Sequence, residues 1–416
     1  MAADSRLRIV VLGYVVRGPL AGPTWHHLQY VLGLRALGHE VWYLEDSTDE
    51  PFCYDPQQQC VTTDPTYGLA YTQRVYARAG LGECWAYHDA HTGRWLGPAA
   101  ARMPAVCASA DMLVNVSGIN PLRPWLERIA CRVLIDTDPV FTQVDNLQCA
   151  QRMQFARAHT AHFSFAESIG QPQCEVPDDG LPWQPTRQPV VLEQWTPAPL
   201  PADGAFSTVM LWDSYDRRQW GGRTWGMKAE ELERVLTLPQ HCPHERFEVA
   251  LGSPSAPHDR LSALGWRVLD PIALTRDPWV YQDYMRASLA EFSVAKQAYV
   301  ASASGWFSER SAGYLACGRP VVVQDTGFSR HLPVGEGLLA FTDLAGALAA
   351  VAEVRRRPAH HARAARALVE AHFDARDVLA RLVDAAWSAP ARAHPQASDR
   401  PGAGTAAGRA GADRAE

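Results

Sequence analysis

The sequence lacks the features that would place a protein in a membrane or outside the cell. No segment reaches the ~20 apolar residues that a membrane helix needs, and the N-terminus has no basic segment followed by a long apolar one. The nine cysteines are scattered, odd in number and include no CxxC pair. Incidental thiols in a reducing compartment explain them better than a zinc site or a disulfide framework. We therefore expect a cytoplasmic protein with no integral membrane segment.

An excess of positive charge is also absent. The formal net charge is −6 at pH 7, whereas a protein that covers nucleic acid phosphates usually carries a basic surface. We therefore expect no nucleic acid partner. We also expect a monomer or a homodimer. The 416 residues are 47% hydrophobic, which is enough for two domains with substantial cores.

The sequence does contain short apolar runs separated by helix-like segments. In the first half these runs are partly β-branched or aromatic, and most end in Gly, Asp or Ser: LRIVVLGY, EVWYLED, DMLVNVSG, RVLIDTDP and HFSFAES. Continuous runs of this length are typical of strands buried on both faces of a parallel sheet. Between the first two runs, Trp25, Leu28 and Leu32 recur at near-helical spacing, which predicts a β-α-β unit.

The same pattern restarts after a proline-rich segment. The runs of the second half are STVMLWDS, RFEVALGS, WRVLDP, EFSVA, AYVASASG, PVVVQDTG and GLLAFTD. We predict an α/β fold with an N-terminal domain over 1–195, a linker over 196–206, a C-terminal domain over 207–345, helices over 346–387 and a disordered tail over 388–416.

Candidate site residues follow the predicted strands, because ligands of open α/β sheets bind beyond the carboxyl ends of the strands. After the first strand, Gly18 and Gly22 could let a ligand approach the backbone closely. His26 and His27 could each act as a base or bind a hydroxyl or an anion, although packed or surface histidines are the alternative. The loop lacks the GxGxxG spacing, which disfavours an NAD-linked oxidoreductase.

Two further strand ends in the first half carry polar residues. Asp136 and Asp138 flank Thr137 and precede a proline, and such a pair can orient hydroxyls, act as a base or bind a metal. Gly118 and Asn120 follow another strand and suggest a turn at the same edge of the sheet. The alternative for both places is an ordinary turn in which the side chain caps local backbone amides.

In the second half, a basic loop follows the first strand and leads into a helix. It contains Arg223 and Lys228, and cationic side chains beside a helix start suit a diphosphate. A solvated basic loop is the alternative, but Trp212, Trp220 and Trp225 argue against a merely flexible segment, because such rings normally pack.

The stretch SGWFSERSAGYLACGRPVVVQDTGFSR, over 304–330, combines two polar turns. We interpret AYVASASG as a strand that leads into this stretch. We place Ser308 to Ser311 at the start of the following helix, where unpaired backbone amides can bind an anion or a hydroxyl. The following strand, PVVVQD, exits through Thr326, Gly327 and Phe328. Both turns should face one edge of a sheet. Simple helix capping is the alternative.

This stretch resembles the donor motif of glycosyltransferases of the GT-B class, with a Gly-Arg-Pro-Val core at Gly318. The whole chain is also similar to a bacterial glycosyltransferase group that carries DTDP and SGWFS…GRPVVVQDTG. The resemblance implies two Rossmann-like domains facing a central cleft, with C-terminal helices. Retaining members of the class carry two glutamates where this chain has Gly305 and Gly313, and Glu309 lies between those positions.

The resemblance also implies how the substrates bind. The C-terminal domain would hold a nucleotide-diphosphate sugar, with UDP as the first choice and GDP or dTDP as alternatives, and neither a cofactor nor a metal is required. The implied donor-binding residues are Lys228, Arg223, Ser308, Glu309, Arg310, Ser311, Thr326, Gly327 and Phe328. The implied acceptor-binding residues are Gly18, Gly22, His27, Gly118 and Asn120.

The implied reaction moves the sugar to an acceptor hydroxyl or amine. Lys228, Arg223 or Arg310 would stabilise the leaving diphosphate. An inverting enzyme would use Asp138, Asp136 or His26 as its base, whereas a retaining one requires no dedicated base. Two alternatives stay open: a nucleotide-sugar epimerase or hydrolase on the same fold, and a non-catalytic sugar-nucleotide-binding protein.

Overall fold

The computed structural model describes residues 6–388, and two largely parallel sheets form its framework. One sheet has eight strands within residues 8–185, and the other has six strands within residues 206–341. The strands are β1 (Arg8–Leu12), β2 (Glu40–Asp46), β3 (Cys53–Asp55), β4 (Cys60–Thr62), β5 (Trp85–Asp89), β6 (Arg94–Leu96), β7 (Met112–Val116), β8 (Cys131–Asp136), β9 (Ala161–Ser164), β10 (Trp183–Pro185), β11 (Phe206–Leu211), β12 (Arg218–Trp220), β13 (Arg223–Trp225), β14 (Phe247–Gly252), β15 (Trp266–Leu269), β16 (Ala290–Ser293), β17 (Val321–Gln324) and β18 (Leu338–Phe341).

Both sheets reverse their direction of winding once. The larger sheet has the order β10-β9-β8-β7-β1-β2-β5-β6, and the smaller has the order β15-β14-β11-β16-β17-β18. The pairings are parallel, except that β6 runs antiparallel to β5. The order reverses between β1 and β7 in the larger sheet and between β11 and β16 in the smaller. Ligands of such folds bind at these switch points.

Helices connect the strands in both sheets, as parallel pairing requires. The helices are α1 (Ala21–Ala36), α2 (Thr66–Arg78), α3 (Met103–Ala108), α4 (Phe141–Gln148), α5 (Ala150–Arg157), α6 (Lys228–Glu233), α7 (Leu238–His241), α8 (His258–Ala263), α9 (Pro271–Thr275), α10 (Pro278–Ala287), α11 (Gln297–Ala301), α12 (Glu309–Ala316), α13 (Leu344–Arg356), α14 (Pro358–His372) and α15 (Ala375–Ser388). In the 6–388 range, none of them is both apolar enough and long enough to span a bilayer.

The predicted α/β fold with two doubly wound halves is confirmed. Strand β1 shows why continuous apolar runs predicted the strands. Both of its faces are buried and need apolar residues, as the fully buried Ile9, Val10, Val11 and Leu12 show. The predicted domain boundaries stay predictions. Apart from Ser388, the predicted tail lies outside the described residues.

One predicted strand is wrong. AYVASASG forms part of α11 and the loop after it, whereas β16 ends at Ser293. Ala298 and Tyr299 are buried on the inner side of this short helix, and a single buried turn has the same short apolar signature as a strand. Strands β5, β6 and β10 and the hairpins β3–β4 and β12–β13 were not predicted, because their runs are short and partly polar.

The chain crosses between the two halves twice, and the two crossings lie side by side. It leaves the larger sheet after β10, and it returns when α15 follows α14. The amide of Val190 donates to the carbonyl of Phe373 at 2.7 Å, and the amide of Ala375 donates to the carbonyl of Val190 at 2.9 Å. The two crossings thus form an isolated parallel bridge.

Helix α15 packs against α1 through a glycine. A Cβ atom built on Gly33 would lie 2.5 Å from Cδ1 of Leu379 and 2.9 Å from Cβ of Ala375. No side chain fits there without moving one of the two helices, so the first and last described helices are in direct backbone-to-side-chain contact.

We predict that Gly33→Leu lowers the free energy of unfolding by about 1–3 kcal/mol. Overpacking against α15 outweighs the ~1 kcal/mol that a helix gains when glycine is replaced. Denaturant unfolding measures the change. The control is Gly82→Ala, whose new Cβ would meet nothing nearer than Cα of Ala77 at 3.4 Å. Equal stability of the two variants would contradict the close packing.

Candidate active site

The two sheets face each other across a cleft, and a cavity of about 360 Å³ lies in it. We call this the cleft cavity. Both halves line it, mainly with residues that follow the carboxyl ends of strands or begin helices: Tyr14, Gly22, Pro23, His26, Ser117, Thr137, Asp138, Leu211, Ser214, Tyr215, Lys228, Lys296, Tyr299, Trp306, Ser308, Glu309 and Arg310. It therefore joins the switch points of both sheets, and it brings together predicted residues from both.

Asp138, of the first half, contacts three side chains of the second half across the cleft. Its carboxylate lies 2.8 and 3.0 Å from the ammonium nitrogen of Lys296. It also accepts hydrogen bonds from the hydroxyls of Tyr215 and Tyr299. Lys296 and both tyrosines belong to the second half, so this carboxylate links the two halves at the centre of the cavity.

Asp136 faces the interior instead. It is 2% exposed, and it does not line the cleft cavity. Its oxygens accept hydrogen bonds from Thr142 at 2.6 Å, Gln143 at 3.0 Å and Ser164 at 2.7 Å, and from the amide of Asp138 at 2.9 Å. Burial raises the pKa of Asp136, while these bonds oppose the rise. Asp136 therefore fixes the turn that places Asp138 in the cleft cavity.

The two histidines of α1 also differ in their surroundings. His26 lines the cleft cavity, its Nε2 lies 3.4 Å from Oγ of Ser117, and burial lowers its pKa. A neutral His26 can accept a proton. His27 is fully buried, and its Nδ1 lies 2.7 Å from the carbonyl of Pro23. A Cβ on Gly13 would lie 2.1 Å from its ring, so His27 packs under the loop rather than facing a cavity.

A buried carboxylate holds the loop after β1 in place. Glu45 accepts hydrogen bonds from the amides of Val15 at 2.6 Å, Val16 at 2.8 Å and Arg17 at 2.6 Å, and from the hydroxyl of Tyr43 at 2.9 Å. The guanidinium of Arg17 lies 3.2 Å away. Burial raises the pKa of Glu45, and Arg17 and the loop amides oppose that rise.

A larger cavity of about 1020 Å³ opens beside this loop, and we call it the side cavity. Tyr14 lines both cavities, so the two are adjacent. Of the predicted acceptor residues, Gly18, Gly118 and Asn120 line the side cavity, Gly22 lines the cleft cavity, and His27 lines neither. The full lining of the side cavity is Tyr14, Arg17, Gly18, Thr48, Asp49, Glu50, Phe52, Gly118, Ile119, Asn120, Pro121, Cys149, Gln151, Arg152 and Phe155.

Helix α12 begins at the cleft cavity, as predicted. Oγ of Ser308 caps it by accepting from the amide of Arg310 at 3.2 Å. Glu309 is exposed to the cavity, and it has no hydrogen bond or ion pair within residues 6–388. Its carboxylate is available to a ligand.

The exit turn of β17 lies behind this helix start. Ser311, Thr326 and Phe328 are each 1% exposed, and they line a void of about 20 Å³ that holds little more than one water. Thr326 donates to the carbonyl of Trp306 at 2.5 Å. Gly327 adopts φ +95°, and its missing Cβ leaves room for the carbonyl of Ala303. These residues support the helix start rather than face the cleft cavity.

The predicted cations separate into three environments. The Arg310 guanidinium is 2.7 Å from Glu291, 2.8 Å from the carbonyl of Val209 and 2.5 Å from Ser293, so its donors are largely used within the second half. Arg223 stands on the β12–β13 hairpin, pairs with Glu175 and does not line the cleft cavity.

Lys228 differs from both arginines. It faces the cleft cavity with no hydrogen bond or ion pair to any residue between 6 and 388. Burial lowers its pKa to about 7, and the positive charges of Arg310 and Lys296 contribute to that shift. The carboxylates of Glu309 and Glu291 oppose the shift. An anion bound beside Lys228 would favour its charged form.

Sequence reasoning missed Lys296, Tyr215 and Tyr299. Lys296 follows β16 at the switch point of the smaller sheet, and attention to the residues after the EFSVA run would have found it. No local signal marks the tyrosines, because they reach Asp138 only in the folded chain.

A metal centre has no support in the described part of the chain, where no group of three or more His, Cys, Asp or Glu side chains could hold an ion. All nine cysteines are free thiols.

Comparison with known proteins gives a family match for part of the chain. Residues 232–384 match the family model described as glycosyl transferase-like. This region includes Lys296 and the whole of α12. No curated protein matches the sequence.

Solved structures show the fold over nearly the whole chain. An α-glucosyltransferase in complex with UDP and a mismatched 13-mer DNA is 10% identical, with a TM-score of 0.56, and the match covers 91% of this chain and 99% of that chain. Anabaena HepE in complex with UDP and glucose is 13% identical, with a TM-score of 0.53, over 92% of this chain and 100% of that chain. At such identities the likeness establishes the GT-B fold.

The exclusion of nucleic acid as a partner is overturned by these comparisons. Several of the similar structures are α-glucosyltransferases in complex with DNA, and one of these holds UDP-glucose together with DNA that contains an abasic site. A net charge of −6 does not exclude a nucleic acid partner for a chain of this fold, because net charge does not describe the potential at one cleft.

We predict that Glu45→Gln lowers the free energy of unfolding by about 3 kcal/mol. The amide keeps only one acceptor oxygen for the loop amides, and it leaves Arg17 without its buried counter-charge. Thermal or denaturant unfolding measures the loss. Glu83→Gln, at a side chain that is 80% exposed, is the control and should change stability little. A similar small effect at Glu45 would contradict its role in holding the loop.

Proposed function

We propose that this protein, a glycosyltransferase of the GT-B fold, moves a sugar from a nucleoside-diphosphate donor to a hydroxyl or amine held in the cleft. UDP is the nucleotide we propose, and its support is that similar structures were solved with UDP or UDP-glucose. We place the reaction in the reducing cytoplasm of a bacterium, supported by the nine free thiols and by the resemblance to a bacterial group.

The observation that carries the proposal is the ammonium group of Lys228 in the cleft cavity, unpaired within residues 6–388. Lys228 lacks a partner among the described residues, and it stands close enough to Lys296 and Arg310 for their charges to lower its pKa. A diphosphate brings at least two negative charges to this place. The positive end of the α12 helix dipole adds to its binding.

The transfer breaks one bond and forms another. The bond between the anomeric carbon and the diphosphate oxygen breaks, and its electron pair leaves with the nucleoside diphosphate, where the cations stabilise it. The acceptor oxygen or nitrogen bonds to the anomeric carbon and gives up its proton. In our proposal Asp138 and His26 are the groups placed to bind that proton, and Asp136 positions Asp138.

The sugar and the acceptor take the remaining surfaces. We assign Glu309 to hydrogen bonds with sugar hydroxyls, because its carboxylate faces the cavity and makes no other bond within the described range. We assign the acceptor to the side cavity, which meets the cleft cavity at Tyr14. Its volume of about 1020 Å³ leaves room for an acceptor larger than one sugar ring.

Nucleotide binding tests the donor assignment directly. We expect UDP to raise the melting temperature of the wild type, and Lys228→Met to weaken UDP binding at least tenfold, or about 1.4 kcal/mol, in calorimetry. Lys228→Arg should restore most of the affinity. Release of UDP from UDP-glucose, with and without acceptor mixtures, then separates a transferase from a hydrolase. Absence of binding by every nucleoside diphosphate would overturn the proposal.

We also predict that UDP affinity falls as the pH rises above 7. The pKa of Lys228 is lowered to about 7, so the ammonium is present below that pH and is lost above it. Above pH 7, UDP binding is coupled to the uptake of one proton from solvent by Lys228, and this coupling weakens UDP affinity by up to about tenfold per pH unit. Lys228→Arg keeps its charge and should show little slope between pH 7 and 9. The same slope in both proteins would rule out Lys228 as its source.

A further inference from the structure

We propose that Asp138 holds the ammonium group of Lys296 only while the cleft is empty, and that the donor diphosphate takes over this ammonium and frees the Asp138 carboxylate for the acceptor. The proposal rests on the function proposed above. It adds Lys296 as a donor-binding residue, and it adds an order of binding in which the donor precedes the acceptor.

Each oxygen of the Asp138 carboxylate already has two hydrogen-bond donors in the structure. Lys296 contacts both of its oxygens, Tyr299 donates to Oδ1 and Tyr215 donates to Oδ2. A carboxylate offers about four lone-pair positions, so these contacts use all of them. An acceptor hydroxyl therefore finds no position on Asp138 until one of the present donors leaves.

Lys296 is the donor best suited to leave. The two tyrosine hydroxyls stay protonated because burial raises the pKa of both, so they continue to hold the carboxylate in place. The departure of Lys296 frees two lone-pair positions, one on each oxygen. Asp138 is then both fixed and available.

The position of the ammonium does not depend on Asp138 alone. Its nitrogen lies 4.8, 4.3 and 5.3 Å from the ring centres of Phe141, Tyr215 and Tyr299. Three rings around one ammonium stabilise its charge where it stands. Lys296 can therefore exchange one anion for another within the cleft cavity without a large movement.

The charges in the cleft cavity favour that exchange. The Asp138–Lys296 pair and the Arg310–Glu291 pair are each balanced, which leaves the Lys228 cation and the Glu309 carboxylate of the cavity without a hydrogen-bonded partner among residues 6–388. A diphosphate that bridges Lys228 and Lys296 neutralises both, whereas Asp138 neutralises one. The doubly charged anion therefore binds more strongly than the single carboxylate.

A double-mutant cycle on UDP binding tests the exchange. Lys296→Met should weaken UDP binding about tenfold, and Lys296→Arg should keep it within a few-fold of the wild type. Asp138→Asn should tighten UDP binding several-fold, because no carboxylate competes for the ammonium. In the Lys296→Met background the same Asp138→Asn change should have little effect on UDP affinity, because the ammonium group for which Asp138 and UDP compete is absent.

Two controls separate the exchange from simpler effects. Arg260→Gln also removes a paired cation of the second half, at 2.6 Å from Glu233, but this cation does not line the cleft cavity. It should leave UDP affinity unchanged. If Lys296→Met does not fold, Asp138→Asn is compared with Glu40→Gln, which removes a carboxylate of the same half paired with Arg8 at 2.8 Å, and only the former should tighten binding.

The outcomes distinguish this proposal from the proposed function. If UDP binds to the wild type and Lys228→Met weakens it, but Lys296→Met does not, the exchange is wrong and the function stands. Equal tightening by Asp138→Asn in both backgrounds also overturns the exchange, because it would show a general charge effect. If the wild type binds no nucleoside diphosphate, both proposals fall.

Discussion

Parallel pairing of strands governs what the cleft contains. In a parallel sheet all carboxyl ends lie at one edge, so the loops after β1, β7 and β8 must gather on one side of the larger sheet. The loops after β11 and β16 gather in the same way on the smaller sheet. Because these two edges face each other, residues far apart in sequence, such as Asp138 and Lys296, come within hydrogen-bonding distance. Without parallel pairing in both halves there is no shared cavity.

The same constraint explains how far the sequence could be interpreted. Fully buried strands carry continuous apolar runs, so the fold class and most strands were predictable, and His26, Asp138, Lys228 and Glu309 were found at strand ends and helix starts. The approach failed where a short buried helix carries the same run, as α11 does. It also could not separate Asp136 from Asp138, because side-chain direction at a strand end depends on Thr142, Gln143 and Ser164, which only the folded chain brings near.

The basic loop after β11 shows a different limit. Arg223 was expected to bind the donor, but it pairs with Glu175 of the first half, and its neighbour Arg218 pairs with Asp145. Trp225 is buried in an apolar cluster with Val140 and Phe141 of that half. The loop folds into the β12–β13 hairpin and packs against the first half, and Lys228, at the start of α6, lines the cleft cavity. Charge in a sequence indicates that a partner exists, and the fold decides whether the partner is a ligand or another part of the chain.

The paired crossings at Val190 and Phe373 determine which motions the two halves can make. A single covalent connection would let one half swing and also rotate about the connecting bond. Two connections that are hydrogen-bonded side by side allow the halves to bend about the line through both crossings, and they resist twisting of one half against the other. A rotation of the halves about that line keeps Val190 hydrogen-bonded to Phe373 and Ala375, whereas a twist would break these bonds.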